Sequence, residues 1–135
     1  MSADRNTTSV YEWATVRLVP LVHREEFVNV GVILHSRTRE FLDARVAPDW
    51  TRLERLYPTL SLETVRRHLE AFVARCRGEV QGSDPVALLP PSERFHWLTA
   101  PRSAIVQTSV VRQGCADDMQ SALKRLFEEQ CMVNP

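Results

Sequence analysis

Lysine, glycine and cysteine are all scarce in this 135-residue chain, and each scarcity argues against a class of function. Lys124 is the single lysine, and the four glycines, Gly31, Gly78, Gly82 and Gly114, form neither G-x-x-x-x-G-K-[ST] nor G-x-G-x-x-G. A phosphate cradle of the P-loop or dinucleotide-binding kind is therefore excluded, which argues against ATP hydrolysis by this chain alone and leaves any nucleotide to Arg and backbone groups. The three cysteines, Cys76, Cys115 and Cys131, are odd in number, lie far apart and form no C-x-x-C, so neither a disulfide framework nor a structural zinc site is indicated. No apolar run approaches the roughly 20 residues that span a bilayer. The start, MSADRNTTSV, has no basic segment leading into an apolar one. An excess of one charge is missing too: seventeen basic residues balance seventeen acidic ones. The field of a dedicated nucleic-acid or anionic-membrane binder is thus absent. These absences predict a cytoplasmic protein without cofactor, metal or membrane association, and they argue against nucleic acid as a partner.

What remains is an ordinary globular composition, 44% hydrophobic and 25% charged, long enough for one core and short for two. Residues 1–8 are polar and read as a disordered tail, leaving 9–135 as a single domain. The basic residues other than Lys124 are all arginine. Guanidinium forks suit phosphate and carboxylate recognition, although GC-rich coding explains the bias more simply.

The first half reads as a meander. VYEWATVRLVPLV has the β-branched and aromatic enrichment of a strand. FVNVGVILHS follows, with Val28, Val30, Val32 and Leu34 alternating on one face and Asn29, Gly31 and Ile33 on the other. After a turn at Arg37 to Glu40, EFLDARVA places Leu42, Ala44 and Val46 opposite Phe41, Asp43 and Arg45. Connections this short require antiparallel neighbours. The period then changes. Asp49 is a plausible N-cap for a short helix holding Trp50, Leu53, Leu56 and Tyr57 that Pro58 ends. A second helix starts at Ser61, with Leu62, Val65, Leu69, Phe72, Val73 and Cys76 on its inner face and Gly78 as its stop. Residues 78–94 are rich in Gly, Pro and polar residues and read as a long surface connection. IVQTSVVR is a fourth strand ended by Gly114, and Met119, Ala122, Leu123, Leu126 and Phe127 stripe a last helix. The order β-β-β-α-α-β-α predicts an α+β fold, a four-stranded mainly antiparallel sheet with helices packed on one face.

With helices on one face, the opposite face presents Arg17, Asn29, Asp43 and Arg45, and Gly31 marks a bulge, a close approach by a ligand or another backbone, or clearance for Trp13. The densest collection of functional residue types is SERFHWLTAPRS. There Arg94 and Arg102 suit an anion and Trp97 a stacking partner, while a plainer reading has Phe95, Trp97 and Leu98 plugging the core edge and Arg94 paired with a carboxylate. A nucleophilic site would use Ser92 or Ser103, with His96 as base and Glu93 as orienter, but no nucleophile elbow supports it. His23, Arg24, Glu25 and Glu26, even with His35 or His96, lack metal-ligand spacing and read as a charged turn, with Glu25 or Glu26 facing Arg17 across the hairpin.

Two stretches, REEFVNVGVIL at 24–34 and PPSERFHWLTAPRSAIVQ at 90–107, with YEWATVRLVP and LERLYPTLSLETVRRHLEAF, resemble a bacterial family catalogued as domain of unknown function 3037. The resemblance runs from about Tyr11 to Phe127. It brings no established activity. It implies a small bacterial protein often encoded beside a HipA-like kinase-fold protein, and hence a partner-dependent accessory role. The family pattern continues past Gln107 with Pro-Ser-Pro and often a histidine, where this chain has Thr108, Ser109, Val110, Val111 and Arg112. The leading expectation is a non-enzymatic interaction module that engages a protein partner, such as the HipA-like protein, through the exposed sheet face and the 92–103 loop. The second is a small enzyme or binding domain for a phosphate-bearing ligand or nucleic acid, and the third a homodimer through the sheet. Arg17, Asn29, Arg45, Arg94, Trp97, Arg102 and Gln107 are the candidate binding residues.

Overall fold

A computed structural model describes residues 8–20, 26–47, 51–79, 84–102 and 104–131. Strands β1 (Ser9–Leu18), β2 (Val28–Ser36) and β3 (Phe41–Val46) form the expected meander. Helices α1 (Thr51–Leu56) and α2 (Leu62–Arg77) follow, then a 3-10 turn at Val86–Leu88 and a third helix, α3 (Pro91–Thr99). Strands β4 (Val106–Thr108) and β5 (Arg112–Ala116) and helix α4 (Met119–Cys131) complete the described elements. The sheet has five antiparallel strands in the order β3-β2-β1-β4, with β5 also on β1. The proposed tail at 1–8 falls almost wholly outside the described residues, as do Asp49 and Trp50 of the first helix.

The expected single fourth strand is two because it bulges. Val16 faces Thr108 and Trp13 faces Arg112, so Ser109, Val110 and Val111 span only Ala14 and Thr15. Ser109 holds the kink: its N–H donates to Thr15 O at 2.9 Å and its Oγ accepts from Thr15 N at 2.9 Å. Gly114 therefore lies within β5 rather than ending a strand.

A second bulge explains the larger correction. The β1–β2 register pairs Val16 with Gly31 but Arg17 with Asn29, leaving Val30 as an extra residue that reverses the facing of everything before it. Val28 and Val30 thus share a face with Ile33, while Val32 and Leu34 turn to the other. The sheet is covered on both faces, not one. Ala14, Val16, Leu18, Ile33 and Ala44 pack against Val65, Leu69, Phe72 and Cys76 of α2 and Phe95 and Leu98 of α3. On the reverse, Tyr11, Val32 and Leu34 pack against Met119, Ala122, Leu123, Leu126 and Phe127 of α4. Each Val, Leu, Ile, Phe or Met among them contributes about 1.5–3 kcal/mol when fully buried, so both helix layers are strongly held. The sheet face expected to stay open for binding or dimerisation is the floor of α4.

Gly31 sits where β3 comes close. A Cβ there would lie 2.5 Å from Arg45 O and 2.8 Å from Val46 Cγ1. The close approach is to a neighbouring backbone, not a clearance for Trp13. In α2 the caps fall where expected: Ser61 Oγ accepts from Thr64 N at 3.2 Å, and Gly78 ends the helix at φ 73°.

Candidate functional site

The stretch read as a surface loop is helical because Pro91 occupies the first helical position, where a missing N–H costs nothing, and Glu93 favours the positive end. Phe95 and Leu98 turn into the core, as the plainer reading had it, but Trp97, which that reading also placed there, does not. The helix also orders the arginines. Arg94 does not meet a carboxylate: its Nη1 donates to Leu89 O at 2.7 Å and its Nε to Cys76 O at 3.3 Å. Its guanidinium, 3.2 Å from the Cβ position of Gly78, seals the end of α2. Arg102 donates to the carbonyls of Ala100 and Trp97. Its guanidinium lies 4.1 Å from the Trp97 ring centroid, and that of Arg75 lies 5.5 Å away. Trp97 itself is 37% exposed.

Arg17, Asn29 and Gln107 do come together. They form one row across the sheet, Arg17 pairing with Asn29 on one side and Gln107 on the other. Arg17 lies 3.9 Å over the Phe27 ring, Asn29 Nδ2 donates to Gln130 O of α4 at 3.4 Å, and Gln107 Nε2 donates to Ala104 O at 2.7 Å. Arg17 Nε, Asn29 Oδ1 and nearby Thr15 Oγ1 are buried without hydrogen-bond partners. Arg45 is apart from them, on β3 at the far edge of the sheet, with its guanidinium 5.9 Å from the Phe127 ring. The seven candidates therefore divide into three places.

A cleft that none of the seven lines is chemically richer. About 510 Å³ in volume, it opens between α3 and the ends of β1 and β2, with Glu12, His35, Arg37, Ser92 and His96 in its walls. His35 is 5% exposed and stacks on Phe95, ring centroids 5.1 Å apart. Ser92 Oγ lies 3.3 Å from His35 Nε2, and Glu12 Oε1 lies 3.6 Å from His35 Nδ1, just beyond hydrogen-bond reach. Burial pushes the imidazole below its usual 6.5 and Arg37 adds to the effect, against the pull of Glu12.

Of the expected nucleophilic set, Ser92 and His96 both line this cleft; Ser103 lies outside the described residues, and the imidazole beside Ser92 Oγ is that of His35, not His96. Glu12 was missed, and His35 weighed only as a metal ligand, because their proximity is a matter of register. They are cross-strand partners, far from Ser92 in the chain. The available signal was the polar pair His35-Ser36 ending an apolar strand. His23 to Glu25 also lie outside the described residues, and Tyr57 OH donates to Glu26 at 3.2 Å. Among the described residues no group of three His, Cys, Asp or Glu is placed to hold a metal.

An antiparallel sheet between two helical layers, with a polar cleft at one end of the central strands, defines a small α+β domain with a ligand-sized opening. The chain belongs to the family described as protein of unknown function (DUF3037), whose model matches residues 13–131. That is the family its sequence resembles. No curated protein and no solved structure matches the chain.

Proposed function

We propose that this chain is an accessory module that docks a protein partner through the outer face of α3. The observation that carries the reading is the exposed indole of Trp97, flanked by the guanidinium groups of Arg75 and Arg102. Arg102 is itself tethered to backbone carbonyls, which holds the aromatic ring in place before any partner arrives. Such an anchor loses little side-chain entropy on binding, and Trp and Arg are the residues that most often dominate interface energetics. The 3-10 turn packed beside α3 adds Leu88, 70% exposed. The gene association implied by the family resemblance makes a HipA-like kinase-fold protein the first partner to test.

Titration calorimetry with that protein is the direct experiment. Trp97→Ala is expected to weaken association about 30-fold or more, the loss of roughly 2 kcal/mol typical of an anchor residue. Unchanged affinity in Trp97→Ala would remove α3 from the interface, and no association by the parent chain would remove this partner.

A second reading, binding of a phosphate-bearing ligand, is favoured by the unpartnered buried atoms of Arg17 and Asn29 in one row. Buried polar groups normally find partners, and a ligand would supply them. Inorganic phosphate titrated against the parent chain and Arg17→Gln tests it; identical responses dispose of it.

A further inference from the structure

The cleft beside α3 holds an arrangement that docking does not use. We propose that Ser92 is an activated nucleophile, with His35 as its general base and Glu12 as a positioning residue, and that the cleft accepts a small carboxylic ester. The inference is independent of the docking reading, since it rests on the inner side of α3 and on β1 and β2.

Ser92 and Glu12 lie beside opposite ring nitrogens of His35. Ser92 Oγ lies 3.3 Å from Nε2 of His35, and the opposite ring nitrogen faces Glu12 at 3.6 Å. Such contacts are commonly long before substrate binds and tighten with it. The environments are divided as the chemistry requires. His35 is buried, with its ring plane fixed by Phe95, whereas Ser92 is exposed on the first turn of α3 and can meet a substrate. Burial also favours the neutral imidazole, the form able to take a proton.

A histidine present only to fill the core would be expected to have both nitrogens satisfied. Here buried Nδ1 faces only the Glu12 carboxylate, at 3.6 Å. The first turn of α3 adds electrophilic help. Pro90 provides no side-chain cap, and the first bond of the helix runs from Arg94 N to Pro90 O, so the Ser92 and Glu93 N–H groups have no intrahelical acceptor. They are the natural donors to an oxyanion formed on a carbonyl attacked by Ser92. Thr99, Ala100, Pro101 and Val111 give the rest of the 510 Å³ cleft a largely apolar wall suited to a short acyl chain.

The step balances without a further reagent. Ser92 Oγ attacks the ester carbonyl carbon as its proton passes to His35 Nε2. Collapse of the tetrahedral adduct breaks the bond to the alkoxy oxygen, which takes that proton and leaves as the alcohol. Water then attacks the acyl group on Ser92 and gives a proton to His35. Collapse of the second adduct returns the proton to Ser92 Oγ and releases the carboxylic acid.

The test uses the full chain with a fluorophosphonate probe, peptide mass spectrometry to locate the label, and p-nitrophenyl acetate to follow turnover. Labelling at Ser92 is expected, absent in Ser92→Ala and about 100-fold slower or more in His35→Gln, the usual contribution of a general base. Glu12→Gln is expected to lower kcat and shift the acid limb of its pH profile, which loss of a merely structural contact would not do. Absence of label at Ser92 in folded parent protein overturns the proposal, as does equal labelling of parent and His35→Gln. Should His35→Gln fail to fold, Ser92→Cys in a Cys115→Ser background replaces it. Its new thiol should alkylate at pH 6.5 several-fold faster than Cys115 of the parent chain, and an equal or slower rate overturns the proposal.

Discussion

Adding a single methyl group at Gly31 should force two strands apart. In Gly31→Ala the new Cβ would lie 2.5 Å from Arg45 O and 2.8 Å from Val46 Cγ1, where real Cβ atoms stay beyond 3.0 Å. The Val46 methyl can rotate away, but the Arg45 carbonyl belongs to the β2–β3 ladder, in which Gly31 faces Val46 and Val32 faces Arg45. Overpacking of this kind costs about 1–3 kcal/mol, and an immovable backbone atom places it in the upper part of that range. The reduced freedom of the unfolded chain offsets about 0.4–1 kcal/mol. A net loss of about 2 kcal/mol remains, which for a domain of this size lowers Tm by about 6–10 °C. Thermal and urea melts of parent, Gly31→Ala, Val46→Ala and the double variant provide the assay. Val46→Ala relieves only the side-chain clash, so in the double-mutant cycle it should recover less than half of the Gly31→Ala loss. A Gly31→Ala melt within about 1 °C of the parent would refute the close β2–β3 approach on which this reasoning rests.

Other consequences are open to measurement. Arg94→Ala leaves the Leu89 and Cys76 carbonyls without their donor, so it should lower stability by about 1–3 kcal/mol, and more than Arg102→Ala, in urea unfolding. The folded-state pKa of His35 lies below 6.5, with Arg37 and Glu12 as its charged neighbours. The unfolded chain therefore binds more protons as pH falls through that value, and stability falls with it; His35→Gln should flatten the slope between about pH 5 and pH 7. Burial pushes the Cys131 thiol up to about 12 and Cys76 higher still, whereas Cys115 is exposed. Mass spectrometry after iodoacetamide treatment should find Cys115 modified first and Cys76 last, and early modification of Cys76 would contradict its burial.

What the sequence disclosed follows the range of the interactions involved. Ser61 and Gly78 bound α2 through contacts a few residues long, so their chemistry was readable directly. The α4 stripe of Met119, Ala122, Leu123, Leu126 and Phe127 was readable for the same reason, but not the sheet face it covers. That depended on Val30, whose bulge breaks an alternation that looks unbroken from Val28 to Leu34. Helix α3 was hidden by its two prolines, although Pro91 followed by Glu93 is itself a start signal. The site was less accessible than the fold. Arg17 and Asn29 were singled out by strand alternation, but their row with Gln107, like the meeting of Glu12, His35 and Ser92, exists only once the strands and α3 are assembled.

The placement of β1 has a consequence for how the chain comes off the ribosome. It is the first described strand to be made and the one on which the sheet closes from both sides, pairing with β2 along one edge and with β4 and β5 along the other. Leu18 waits for Val106, roughly ninety residues later, which is about 5–20 s of synthesis at ordinary rates. During that interval the meander can form, but one edge of β1 remains a bare row of amides and carbonyls, and the Tyr11, Val32 and Leu34 face lacks the cover of α4. Unpaired edges beside apolar faces are the surfaces that draw chains together. A ribosome stalled before residue 104 would thus present an adhesive half-sheet, and holdase chaperones should be recovered on nascent chains of that length and lost once α4 has emerged.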